Sequence, residues 1–136
     1  MWEKIFRQSA AILLIFTNFF IVSTAHAEIK TYEGYGEYFM TDETVGFAKE
    51  QAELVAKRDI LDKISVYVKS QSTMIDNELE NDEVITISAG ILHVIDTRFS
   101  MMPEDDGILI EAFVTAEIDT DELEKLLAEE IKSRRG

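Results

Sequence analysis

The chain has 136 residues, 46% hydrophobic and 29% charged, with a formal net charge of −14. That is one domain's worth of ordinary globular composition. No cysteine, two histidines and one proline exclude disulfide scaffolds, thiol nucleophiles, cysteine-ligated metals and proline-rich folds, while the acidic balance excludes non-specific binding to nucleic acid or anionic lipid, which needs clustered Lys and Arg.

Residues 1–27 read as a secretory signal peptide. Lys4 and Arg7 give a positive start. An apolar run follows from Ala10 to Val22, interrupted by Thr17 and Asn18, and Ala25-His26-Ala27 supplies the small residues that a signal peptidase accepts. The apolar run is short for a membrane span, which needs about 17–25 residues. The expected product is cleaved after Ala27, has no stable membrane anchor, and is exported to the periplasm or the medium. The prefix removes two basic residues and one acidic residue, taking the net charge from −14 to −15. Residues 28–136 are then a single α+β domain, held by its core rather than by disulfides.

From Ile29 to Met40 the pattern has period two. Tyr32, Gly34, Gly36 and Tyr38 face one way, and Thr31, Glu33, Tyr35, Glu37 and Phe39 the other, which predicts a strand. Gly34 and Gly36 share a face and make room for the next element. Thr41 or Asp42 is expected to cap a long helix running to about Ile64. Val45, Ala48, Ala52, Val55, Ala56, Ile60 and Ile64 form its core stripe, and Asp59 projects into that stripe, or sits at its edge, in a structural role. A second stripe, Phe47, Leu54, Leu61 and Val68, recurs every seventh residue on nearly the opposite side. Either the C-terminal helix covers it, or a partner or second copy does.

Ser65–Met74 alternates like a second strand. Asp76–Glu83 reads as a solvated acidic loop, since it lacks the ligand spacing and central glycine of a calcium loop. Val84–Leu92 is a short helix capped by Asn81 or Asp82, although a strand also fits its pattern. His93–Met102 and Ile108–Ile118 form a hairpin across a Pro103–Gly107 turn, whose Asp-Gly tolerates positive φ. Asp119 and Glu122 open a terminal helix with the apolar face Leu123, Leu126, Leu127 and Ile131. The order strand, long helix, strand, short helix, strand, strand, helix is an α+β fold, with the long helix packed on a small, largely antiparallel sheet.

Five segments carry a resemblance: G-Y-G-E-Y (34–38), A-K-E-Q-A-E-L-V-A-K-R-D (48–59), V-Y-V-K-S-Q-S-T (66–73), I-S-A-G-I-L (87–92) and F-V-T-A-E-I-D (113–119). Together they resemble the N-terminal domain of the flagellar assembly protein T, and the related module of small envelope lipoproteins and exported Firmicutes proteins. The resemblance implies a compact α+β module of the cell envelope used in assembly or protein contacts, with no catalytic residues. The chain departs from the lipoproteins in having no acylatable cysteine.

Catalytic chemistry finds little support. His93, Ser88 and Asp96 lie close in sequence, but strand alternation sets His93 and Asp96 on opposite faces, which spoils a triad. There is no nucleophile elbow, P-loop or dinucleotide fingerprint, so no cofactor is implied. The expectation is an exported, non-catalytic interaction module that binds an envelope protein or itself. Its candidate surface is Phe47, Leu54, Leu61 and Val68, or the exposed side of the tyrosine strand with Tyr32, Tyr35 and Tyr38, for which packing under the helix is the more ordinary reading. The alternative is a small-molecule or cation-binding periplasmic protein using the acidic segments at 76–83 and 104–106.

Overall fold

The computed structural model describes residues 27–136; the expected signal peptide, but for Ala27, lies outside the described residues. The elements run β1 (Ile29–Met40), α1 (Val45–Gln71), α2 (Thr73–Glu78), α3 (Asn81–Ile91), β2 (His93–Glu104), β3 (Gly107–Asp119) and α4 (Thr120–Arg135). The strands form one antiparallel sheet in the order β1-β3-β2. The fold is α+β, with the helices on one side of the sheet.

The sheet takes α1 closely because β1 has no Cβ where the helix crosses it. A Cβ on Gly34 would lie 2.2 Å from the Ala56 carbonyl oxygen, and one on Gly36 2.2 Å from that of Ala52. Ala48, Ala52 and Ala56 are fully buried at this contact. Ile60 and Ile64 continue the stripe into a core with Ile110, Val114 and Ile118 of β3 and Leu123, Leu127 and Ile131 of α4. Val45 and Val55, placed in that stripe by periodicity, are exposed. They flank the alanines where the helix turns away from the sheet.

Asp59 has the structural role expected of it. Its Oδ2 accepts the Tyr35 N–H at 3.0 Å and the Lys63 ammonium at 3.0 Å. Lys63 also donates to the Glu33 carbonyl at 2.7 Å. The pair therefore satisfies outward-facing backbone groups along the β1 edge, which would otherwise be open to another strand. Burial pushes the Asp59 carboxyl up, but the Tyr35 N–H and Lys63 outweigh it, and the net direction is down.

The second strand expected at Ser65–Met74 does not exist. Residues 65–71 continue α1, and Thr73–Glu78 is α2. Val66 and Val68 would share a strand face, yet Val66 is 70% exposed and Val68 4%. Tertiary packing overrides β-branched propensity here. The Ser65 hydroxyl bonds to the Asn81 Oδ1 on α3, and the Ile60, Ile64, Val68 spacing keeps a helical face toward the core. The sheet thus has three strands rather than four.

Asp76–Glu83 is likewise not a loop, because α2 and α3 leave only residues 79–80 between them. Its carboxylates meet arginines: Glu83 lies 2.6 Å from Arg134, Asp82 3.6 Å from Arg58, and Glu78 pairs with Arg135. The expected short helix at 84–92 is present as α3, with Glu80 rather than Asn81 or Asp82 at its N-cap. Asp119 caps α4, accepting the Asp121 and Glu122 amides at 3.0 and 3.1 Å. The Thr120 N–H and hydroxyl both bond to the Glu28 carbonyl, at 2.8 and 3.0 Å, tying the start of β1 to the start of α4.

The hairpin forms as expected, with a tighter turn of Asp105 and Asp106 alone. No described residue has positive φ. Gly107 is needed for close approach instead: a Cβ there would lie 2.2 Å from the Met40 carbonyl oxygen.

Thr44, not Thr41 or Asp42, caps α1, accepting the Phe47 N–H at 3.2 Å. The preceding loop is organised by Glu43, whose carboxylate accepts the Thr41 N–H at 2.9 Å and the Tyr38 hydroxyl at 2.8 Å. The bonds from the Thr41 amide, its own amide and Tyr38 hold the Glu43 pKa down at about 2, against 4.5 ordinarily. A depressed folded pKa contributes stability above the unfolded value and loses it as pH falls through the folded one. Glu43→Gln should therefore melt below wild type at about pH 6, with the gap closing between about pH 4.5 and pH 2. Melting curves followed by circular dichroism across that range check this.

Candidate interaction surface

The register fixes what each face of the sheet presents. On the helix side, Gly34, Gly36 and Tyr38 lie level with Val114, Ala112 and Ile110. The outer side carries the alternate residues. Crossing β1, β3 and β2, its rows are Glu33–Thr115–Asp96, Tyr35–Phe113–Arg98, Glu37–Glu111–Ser100 and Phe39–Leu109–Met102. All the helices pack on the opposite side. Tyr35, Phe39, Phe113 and Met102 are exposed.

Apolar and acidic rows therefore alternate on one open surface. The Tyr35 and Phe113 rings pack with centroids 5.3 Å apart, tilted by 55°. The Tyr35 hydroxyl reaches into the next row, to Glu37 Oε2 at 3.0 Å and to Glu111 Oε2. The bond to Glu111, partial desolvation and the bond to Glu37 push the Tyr35 phenol well above its usual range. Its proton is thus held between two carboxylates that lie directly opposite each other and would otherwise repel. This fixes the ring over the β1–β3 side of the face.

The heptad stripe does not act as one surface. Phe47 and Leu54 are 45% and 51% exposed, whereas Leu61 and Val68 are buried. The second half of α1 is flanked by α2 and α3, and the first half is not. The C-terminal helix is not the cover; it stacks beyond α3, which it holds through Arg134 and Glu83. Leu61 and Val68 are therefore withdrawn as partner-contacting residues. The tyrosines also divide. Tyr32 and Tyr38 are half-buried under the helix. Tyr38 meets Phe47 edge-on at 6.0 Å and donates to Glu43. Only Tyr35 is exposed on the open face.

The paper triad is not assembled, though for a different reason than strand alternation suggests. A β-bulge between Val94 and Asp96 shifts the register, so His93 lies level with Glu117 and Asp96 with Thr115. Both therefore fall on the outer face, and His93 is exposed. Ser88, however, is fully buried in α3 and donates to the Val84 carbonyl at 2.7 Å. Among the described residues no group of three His, Asp or Glu is placed to hold a metal ion.

The clefts are shallow. One of about 240 Å³ lies beside Glu33, Tyr35, Lys63, Arg98 and Phe113, below the roughly 300–1,000 Å³ of ordinary small-molecule sites; two open ones of about 420 and 410 Å³, beside Phe39 and Glu104–Asp106 and beside Asp59 and Asp62, reach that size. Another, about 310 Å³, is lined by Asp82, Glu83 and Glu130, but Glu83 and Glu130 already pair with Arg134.

Phe113, Leu109 and Met102 were missed as site residues. Their signal was present: in the hairpin, the face opposite the clean aliphatic series reads Leu, Glu, Phe, Thr, Glu, and a phenylalanine on a solvent face is unexpected there.

No protein-family model matches the chain, and no curated protein matches it.

Proposed function

We propose that this is an exported, non-catalytic protein of the cell envelope that acts as an interaction module, and that the open face of its sheet docks the partner. One observation carries the reading. An aromatic and aliphatic patch built on Tyr35, Phe113, Phe39, Leu109 and Met102 lies on a sheet face that no described helix covers. Exposed aromatic and aliphatic side chains gathered on one face in this way mark interaction sites, here as two apolar rows on either side of the Glu37–Glu111 row. The carboxylates of Glu33 beside it and of Glu37 and Glu111 within it, on a chain of charge −14, call for a partner that carries both apolar and basic groups, since complementary charge steers and orients docking. The reading agrees with what the resemblance to envelope assembly modules implies.

Export rests on the pattern of residues 1–27. No described helix is long and apolar enough to cross a membrane. In a Gram-negative host, the mass of the protein recovered from the periplasm should correspond to a chain beginning at Glu28. An intact chain retained in the cytoplasm contradicts export.

A further inference from the structure

We propose that the free edge of β2 pairs with β2 of a second copy of this chain, antiparallel about Thr97, joining two three-stranded sheets into one of six strands. The edge pairing leaves the Tyr35, Phe113, Phe39 and Leu109 patch of the open face uncovered, so either proposal can fail without the other.

The two edges of the sheet differ. Asp59 and Lys63 of α1 occupy outward backbone groups of β1. Among the described residues no side chain of another element bonds to the backbone of β2. The direction of its free groups follows from the register. Tyr35 turns its N–H outward to Asp59, and it lies level with Phe113, which lies level with Arg98. Alternation across an antiparallel sheet then points Arg98 and Ser100 toward β3, and Thr97, Phe99 and Met101 outward.

Charge identifies the occupant. In a chain of net charge −14, most of the surface repels a second copy. From His93 to Met102 the only formal charges are Asp96 and Arg98, which cancel. They sit on either side of Thr97 and on the same outer face, 3.5 Å apart and exposed. An antiparallel strand centred on Thr97 sets Asp96 of each copy opposite Arg98 of the other. Thr97 meets its own counterpart with its outward N–H and carbonyl, and the exposed Phe99 comes level with the exposed Ile95 of the second copy. Opposite charges and aromatic–β-branched pairs directly across a ladder are both favourable. The bulge at Val94/Asp96 ends the regular pairing at Ile95, and so, by symmetry, at Phe99 of the second copy. The guarded β1 edge stops further addition, so the assembly closes as a two-fold dimer. Such a dimer presents two open faces side by side and would bind a repeated partner with avidity.

Analytical ultracentrifugation of the exported protein, from about 1 to 300 µM, tests this. The expected result is a reversible dimer. Arg98→Asp, which sets Asp against Asp, should weaken it at least about tenfold. The exchange Asp96→Arg with Arg98→Asp should restore it, because the swapped pair is again self-complementary. Circular dichroism melts confirm that both variants fold. A protein that stays monomeric throughout overturns the proposal, including the case where β2 instead takes a strand of another protein. So does a dimer indifferent to Arg98→Asp, or one the exchange fails to restore.

Discussion

Gly34→Ala should destabilise the domain by at least about 3 kcal/mol, at the upper end of overpacking costs and a large part of the roughly 5–15 kcal/mol that holds a domain of this kind. The added methyl would sit 2.2 Å from the Ala56 carbonyl oxygen and 2.6 Å from Ile60 Cγ1. The first neighbour is helix backbone, so no side-chain rotation relieves the clash. Either α1 lifts off the sheet or β1 moves away from β3. Lifting α1 would also loosen the alanine contacts and the Asp59 and Lys63 bonds to the β1 edge. Gly36→Ala meets the Ala52 carbonyl oxygen at the same distance and should behave alike. Gly46→Ala, where the methyl meets nothing within 4 Å, should be neutral or slightly stabilising. Urea unfolding of the three variants checks this; a Gly34→Ala protein as stable as wild type would mean that α1 does not rest on β1 as described.

Val68→Glu should cost about 3–5 kcal/mol or abolish folding, because it buries an unpaired carboxylate. Leu54→Glu, two seven-residue repeats earlier, should stay within about 0.5 kcal/mol of wild type. Both positions belong to one sequence stripe, and the difference comes from what lies over them. Leu54 faces solvent on a stretch of α1 backed only by the sheet, while Val68 is sealed into the core near α2 and α3. Melting temperatures of the two proteins decide it. Equal losses would mean that the whole stripe is covered, and the division drawn here would be wrong.

The parts of the fold legible in the sequence were those where period and punctuation agree. The hairpin has a clean alternating strand and a run of turn-forming residues between Pro103 and Gly107, although the turn itself is Asp105 and Asp106. The glycine pair in β1 matches the alanine stripe that rests on it. The part that was not legible, residues 65–74, has a strand's composition and a helix's environment. Val66, Tyr67 and Val68 say nothing locally of Asn81, whose amide receives Ser65 on α3. The same limit applies to the faces of β2. A bulge of one residue at Ile95 reverses which side His93 shares with Asp96, and nothing in the alternation announces it. The candidate surface was half visible. Tyr35 stood out as an aromatic on a strand, but its partner Phe113 comes from 78 residues later and joins it only through the β1–β3 register. The Phe47-to-Val68 repeat drew attention because periodicity records that a face is apolar and not what covers it.

The most direct test of the account is photo-crosslinking in the cell from position 113, with position 54 as control and mass spectrometry of the adducts. The account predicts one predominant adduct from 113 to an envelope protein carrying a basic surface, which is lost when Tyr35 is also replaced by Asp and is absent from position 54. A foreign adduct from position 54 but none from 113 would move the interface to the exposed half of α1 and contradict the open-face reading. Adducts from 113 only to the protein's own chain would contradict it as well.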